Sequence, residues 1–224
     1  MPDLRPMPYK EAIEYFRKRI VVPPSEFGEL AAGVNEAAKA RAFTIAGVAR
    51  TDVLSDIHGA IEKAIANGET FWDFRKRIDE TMVNCGWAGL SPHRLGNIFR
   101  TNVQTAYMAG RYQQMKRVAK RRPYWQYDAV NDSRTRPSHA AMDGKVYPHD
   151  HPFWDTWYPP NGYGCRCSVT SLSRAELEEE GLKVEERMSG GAPDEGWDTN
   201  VAADPMKSLE KAKERSTGRL AKRI

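Results

Sequence analysis

The sequence predicts an α+β protein: a helical N-terminal region, then a small mixed α/β module, then an extended C-terminal tail. Three observations carry this. Apolar residues recur at helical spacing as far as Arg117; after Pro123 the pattern changes to alternating aromatics; and from Met188 onward glycine and proline replace periodic apolar residues. The expected divisions are residues 1–122, 123–187 and 188–224.

Ala12, Ile13, Phe16 and Ile20 stand at helical spacing after Pro8, and Val21-Val22-Pro23-Pro24 ends that helix, because proline biases its predecessor away from helical angles. A second helix is expected from Val34 to Ala49. Val53, Leu54, Ile57, Ala60, Ile61, Ala64 and Ile65 form an apolar stripe of helical period, and Asn67-Gly68 supplies a left-handed stop. Thr70 is placed to cap the next helix, with Phe71, Phe74, Ile78 and Met82 on its buried side. Cys85 to Leu90 reads as a loop, and Ser91-Pro92 restarts the chain with a cap residue and a proline at the first helical position. The helix from Pro92 to Arg117 is expected to bury Leu95, Ile98, Phe99, Val103, Ala106 and Tyr107.

In the module, Tyr124 to Val130 alternates as a strand does, and Lys145-Val146-Tyr147 and Arg166 to Thr170 read as further short strands, with a short helix between Pro137 and Met142. Ser173-Arg174-Ala175-Glu176 is a capping box for a helix that stops at Gly181, and Lys183-Val184-Glu185 returns as a strand. Phe153, Trp154, Trp157, Tyr158 and Tyr163 are expected to be the module's core, with Pro159-Pro160-Asn161-Gly162 folding the segment back. Trp197 is the one evident anchor of the tail, whose apolar content is too low to fold without a partner.

A chain of 224 residues with 40% apolar residues has enough core to fold without disulfide staples. Its three cysteines do not form a secreted framework: Cys165 and Cys167 are one residue apart, and Cys85 is left over. We read a reducing compartment, no export signal and no membrane partner. The net charge of +4 is modest but uneven. Arg111, Lys116, Arg117, Lys120, Arg121 and Arg122, interleaved with Tyr112 and followed by Tyr124 and Trp125, are the candidates for non-specific DNA contact; a solvated helix face is the plainer alternative.

The order Asp132-Ser133-Arg134-Thr135, His139, Asp143-Gly144, Pro159-Pro160, Cys165-Arg166-Cys167 resembles the phage Mu F-like head-morphogenesis family. The resemblance extends through Ala40 to Gly47, Gly68-Glu69-Thr70-Phe71 and Arg100 to Tyr107, with Met108 departing where a polar residue is expected. It implies a minor capsid protein of a phage or prophage, not an enzyme. Such a protein is made in the host cytoplasm and built into the head near the portal vertex, with the portal protein or major capsid protein as partner and a part in handling DNA. On this reading no appended cargo domain, of the kind that longer toxins with such a module carry, is expected. The signature residues Asp132, Arg134, Thr135, His139, Asp143, Gly144, Pro159, Pro160, Cys165, Arg166 and Cys167 are structural or site residues on this reading.

The chemical alternative is a zinc-containing nucleic-acid-processing enzyme centred on His139, Cys165 and Cys167, with His149 and His151 nearby, His139 as base, Asp132 or Asp143 near a metal-bound phosphate, and Arg134, Arg136 and Arg166 as its clamp. Against zinc, structural sites usually draw on Cys-x-x-Cys knuckles, whereas Cys165 and Cys167 form a Cys-x-Cys pair that a turn at Gly164 would bring together. Against catalysis, the same residues suit a structural network in which Asp132 and Thr135 cap a turn and Arg166 pairs with a carboxylate.

Overall fold

The computed structural model describes residues 9–27, 42–45, 48–84, 90–188, 191–200 and 202–203. The chain is α+β and divides into two compact units, Met1–Gly110 and Arg111–Ile224.

The first unit is built around helices. α1 (Lys10–Arg17) buries Ala12 and Phe16 and leads into β1 (Ile20–Val21). β1 pairs in parallel with β2 (Ala42–Phe43), so the helix expected over Val34–Ala49 is corrected where it is described. Residues 34–41 and 46–47 lie outside the described residues. The physical reason is burial: Phe43 sits edge-on to Phe16 at 5.9 Å and to His58 at 5.1 Å, and an extended backbone there supplies the ladder partner of Ile20 and Val21.

α2 (Thr51–Asn67) buries Val53, Leu54, Ile57, Ala60, Ile61 and Ala64 and ends on Gly68 at φ 64°, the left-handed conformation that glycine adopts without a Cβ penalty. At α3 (Phe71–Asn84) the Thr70 amide donates to Asp73 Oδ2 (3.0 Å) and the Asp73 amide to Thr70 Oγ1 (3.4 Å), a reciprocal cap. Phe74 and Ile78 are buried and Phe71 partly so, while the side chain of Met82 and the loop at Cys85 lie outside the described residues.

α4 (Pro92–Val118) opens with the Arg94 amide on Ser91 Oγ at 3.3 Å. Leu95, Phe99 and Ala106 are buried, but Tyr107, expected inside, is 42% exposed and stands edge-on to Tyr9. Met108 and Ala109 take the buried positions instead. Beside them α4 runs close against α1: a Cβ on Gly110 would stand 2.8 Å from the backbone nitrogen of Ala12. Gly110→Ala is therefore expected to lower stability by about 1–3 kcal/mol through overpacking against backbone, read as a shift in the urea midpoint.

The second unit begins inside α4, earlier than the expected division after residue 122, because the last turns of the helix are held by this unit's own sheet. Arg111 donates to the carbonyl of Val169 (2.5 Å), and Arg122 to that of Ser171 (2.6 Å) and to Glu176 (2.8 Å). The sheet has the order β4-β3-β5, with β3 (Tyr124–Asp128) antiparallel to both β4 (Val146–Pro148) and β5 (Ser168–Leu172). Trp125 and Tyr127, two residues apart on one face of β3, are fully buried.

Over them lies α6 (Phe153–Trp157), which follows the short α5 (Pro137–Ala140) and buries Phe153, Trp154 and Trp157. Tyr158 completes this core. Tyr163 does not belong to it: it is 66% exposed, edge-on to Trp197 at 5.0 Å. Ser173 and Glu176 form the capping box of α7 (Arg174–Glu179), and Val184 returns as a single parallel bridge to Val146.

The segment expected to be an extended tail is bound to this unit wherever it is described. The Asp194 amide donates to the Asn161 carbonyl (3.0 Å) and the Asn200 amide to that of Asp155 (2.9 Å), and Pro193, Thr199 and Asn200 are buried. Residues 204–224 lie outside the described residues.

Candidate functional site

The chain from Val130 to Thr135 is a polar turn. Asp132 Oδ1 accepts from the Arg134 amide (3.0 Å), Thr135 donates its hydroxyl to the Val130 carbonyl, and the Thr135 amide donates to the Asp132 carbonyl (3.0 Å). Arg166 then grips Asp132 through both guanidinium nitrogens at 2.8 and 2.6 Å, which holds the Asp132 carboxyl well below the usual carboxylate range.

Pro137, at the first position of α5, sets the direction of that short helix, and His139 follows on its inner side, 1% exposed. Opposite it, Gly164 at φ 68° turns the chain, with the Cys165 amide donating to the Gly162 carbonyl (3.2 Å), and the strand begins only at Ser168. Cys165 and Cys167 therefore precede the strand, in the turn that Gly164 opens. Both approach one ring nitrogen: Cys165 Sγ lies 3.8 Å and Cys167 Sγ 3.6 Å from His139 Nδ1. Arg166, between them, faces outward to Asp132.

The thiols are unequal. The hydrogen bond from Cys167 holds the Cys165 thiol down to about 7, against the opposing effect of burial, while the same contact and burial push the Cys167 thiol up. The other side of the imidazole faces Asp194, whose Oδ1 is 3.9 Å from His139 Nε2. Asp194 is held by Arg136 Nε at 2.9 Å, and Arg136 also donates to the Tyr163 carbonyl (2.8 Å). Tyr127 donates its hydroxyl to Asn161 Oδ1 (2.9 Å) beneath the site, and burial pushes its phenol pKa up.

A small polar pocket opens here, lined by His139, both cysteines, Thr135 and the three arginines Arg134, Arg136 and Arg166. Of the candidate phosphate clamp, Arg166 and Arg136 are each paired with an aspartate, and Arg134, 77% exposed, stands 3.6 Å from Asp132.

Other signature residues act elsewhere. Asp143 accepts from the Ala129 amide (2.7 Å) and from Asn131 (2.6 Å), and Gly144, at φ 73°, donates its amide to Tyr127 (2.8 Å), closing the approach to β4. Pro159 and Pro160 are buried and joined by a cis bond. His151 stacks on Tyr147 at 4.8 Å, and His149 is tilted against Trp125 at 6.0 Å. Asp194 and Asn161 are the residues that sequence reasoning missed as site residues; Asp194 lies in a stretch with no periodicity, so only its place between Pro193 and Gly196 marks it as ordered turn.

Residues 55–170 match the family model described as "Phage Mu protein F like protein", more than half of the chain and all of the signature from Asp132 to Cys167. The chain belongs to the phage Mu F-like family. A Mu F-like relative, the "Mu-like prophage FluMu F protein" of Haemophilus influenzae, is 45% identical over 161 residues, covering 66% of this chain and 39% of its own length. The "Putative capsid assembly protein F" of Escherichia phage Mu is 42% identical over 195 residues, 80% of this chain and 43% of its own. This chain thus spans about two fifths of the length of these two curated relatives. No solved structure matches it.

Of the basic residues proposed for DNA, Arg111 and Arg122 are engaged with β5 and α7 as described above. Lys116 lies over the Tyr112 and Trp125 rings at 5.7 Å and beside His149, and Lys116, Arg117, Lys120 and Arg121 are exposed. Among the described residues no helix is long and apolar enough to cross a membrane.

Proposed function

We propose that this chain acts in phage head assembly as a binding component, made in the host cytoplasm and incorporated into the virion head next to the portal vertex, with the portal or major capsid protein as its partner. The observation that carries this reading is the similarity, over 80% of the chain, to a relative named as a capsid assembly protein. The site's chemistry agrees with a binding role. Its two aspartates are paired within the turn network, Asp132 with Arg166 and Asp194 with Arg136, and His139 is almost wholly buried.

A nonsense codon upstream of Asp132, in a phage that carries this reading frame, tests it. The expected result is loss of DNA-filled heads, restored by the intact gene in trans, with the protein present in purified virions. Normal heads and virions without the protein would remove the reading. Cross-linking to the major capsid protein alone would remove only the portal position.

DNA contact is the finer part of the same proposal, through Lys116, Arg117, Lys120 and Arg121. If these four neutralise four phosphates, affinity for duplex DNA is expected to fall about a hundredfold between roughly 50 and 200 mM salt, since the logarithmic slope is about −0.9 per phosphate. Replacing all four by glutamate is expected to abolish binding in a gel-shift assay. Binding indifferent to salt, or to those replacements, would show that this surface is only solvated.

A further inference from the structure

We propose that His139 Nδ1, Cys165 Sγ and Cys167 Sγ form a three-ligand site for a zinc-class divalent cation, with the fourth position facing the pocket beside Thr135. The proposal rests on this unit's own geometry and is independent of head assembly.

The ligand spacing is the first argument. With zinc–sulfur bonds of about 2.3 Å and zinc–nitrogen bonds of about 2.0–2.1 Å, tetrahedral angles place each sulfur about 3.5–3.6 Å from the nitrogen. The observed separations are 3.6 and 3.8 Å, and the three ligand atoms all lie within 4.8 Å of one another. Three soft or borderline donors from two segments therefore converge at metal-ligand spacing, all buried, and neither thiol is in a disulfide.

The second argument comes from the far side of the ring. A metal-bound histidine ordinarily presents its other N–H to a carboxylate or carbonyl, which fixes the tautomer and the ring plane. Here His139 Nε2 is buried and makes no hydrogen bond among the described residues, yet it faces Asp194 Oδ1 at 3.9 Å. Asp194 is itself positioned by Arg136 and by its amide on Asn161. Gly162 leaves the room: a Cβ there would stand 2.3 Å from Asp194 Oδ2. A cation on Nδ1 places the proton on Nε2 and aims it at that carboxylate. The cation would join α5, the turn before β5 and, through Asp194, the 191–203 segment at one point.

The test is cobalt(II) titration of chelator-treated full-length protein, with circular dichroism to verify folding. Saturation at one equivalent is expected, with a thiolate-to-cobalt charge-transfer band and the visible bands of tetrahedral cobalt. The charge-transfer intensity should fall to about half or less in Cys165→Ser and in Cys167→Ser and stay unchanged in Cys85→Ser. Asp194→Asn should weaken affinity by about ten- to a hundredfold without changing the ligand count. If a serine variant fails to fold, the wild-type titration and Cys85→Ser still decide the matter. Folded wild type that shows no charge-transfer band at saturating cobalt, or a band that disappears in Cys85→Ser, overturns the proposal.

Discussion

Trp157→Ala is expected to destabilise the second unit by about 3–5 kcal/mol, the range for removing a large buried aromatic. The indole is fully buried, edge-on to Tyr127 at 6.1 Å, stacked with Phe153 at 6.2 Å, and edge-on to the His139 ring at 6.1 Å. Its removal opens a cavity that Tyr127 and Phe153, themselves fixed by the sheet and by α6, cannot collapse to fill. A domain has about 5–15 kcal/mol in total, so a loss of this size puts the unit near its unfolding threshold at 37 °C. Trp157→Phe should cost markedly less, because the indole N–H makes no hydrogen bond among the described residues and only volume is lost. Urea unfolding followed by far-ultraviolet circular dichroism separates the two. Equal effects of Ala and Phe would mean that the ring's volume is not what supports this core.

Because His139 rests against the same indole, the core and the candidate site are mechanically one object, and this explains which parts were legible in the sequence. The helices of the first unit follow from periodicity and punctuation: the α2 stripe, the Gly68 stop and the Ser91-Pro92 start are local signals, and local signals decide helices whose neighbours only supply a surface. Ala42-Phe43 was misread as helix because its extended form depends on pairing with Ile20-Val21, more than twenty residues away, a contact that no window contains. Tyr107 shares the helical spacing of the buried positions of α4 and Tyr163 follows the module's core aromatics, yet both are exposed, edge-on to Tyr9 and to Trp197.

In the site, the residue types of His139, Cys165 and Cys167 were legible, but their convergence depends on a contact between α5 and the turn after Gly164, 26 and 28 residues apart in sequence, which no local pattern contains. Asp194 could not be read at all. It reaches the site through one backbone hydrogen bond and one ion pair made by a segment whose composition resembles a linker.

Asn161 is the residue on which that arrangement can be tested with the least disturbance of the ligands. It is completely buried, its Oδ1 accepts from the Tyr127 hydroxyl at 2.9 Å, its Nδ2 donates to the Thr156 carbonyl at 3.4 Å, and its own carbonyl receives the Asp194 amide at 3.0 Å. Asn161→Ala keeps the backbone contact to Asp194 but takes from the buried Tyr127 hydroxyl its oxygen acceptor, leaving it only the Cys167 sulfur. An unsatisfied buried polar group costs about 1–3 kcal/mol and the cavity adds to it, so a loss of about 2–4 kcal/mol is expected. Tyr127→Phe alone should cost about 1–3 kcal/mol by stranding the amide oxygen in its turn. The double variant should then lose less than the sum by about 1–2 kcal/mol, because neither partner is left waiting for the other. Additive losses in the cycle would mean that the hydroxyl and amide do not depend on each other, and that the turn at Pro160-Asn161-Gly162 is held by its backbone. A coupled cycle makes Asn161 the joint through which β3 fixes the carbonyl that Asp194 uses, and so ties the sheet to the carboxylate behind His139.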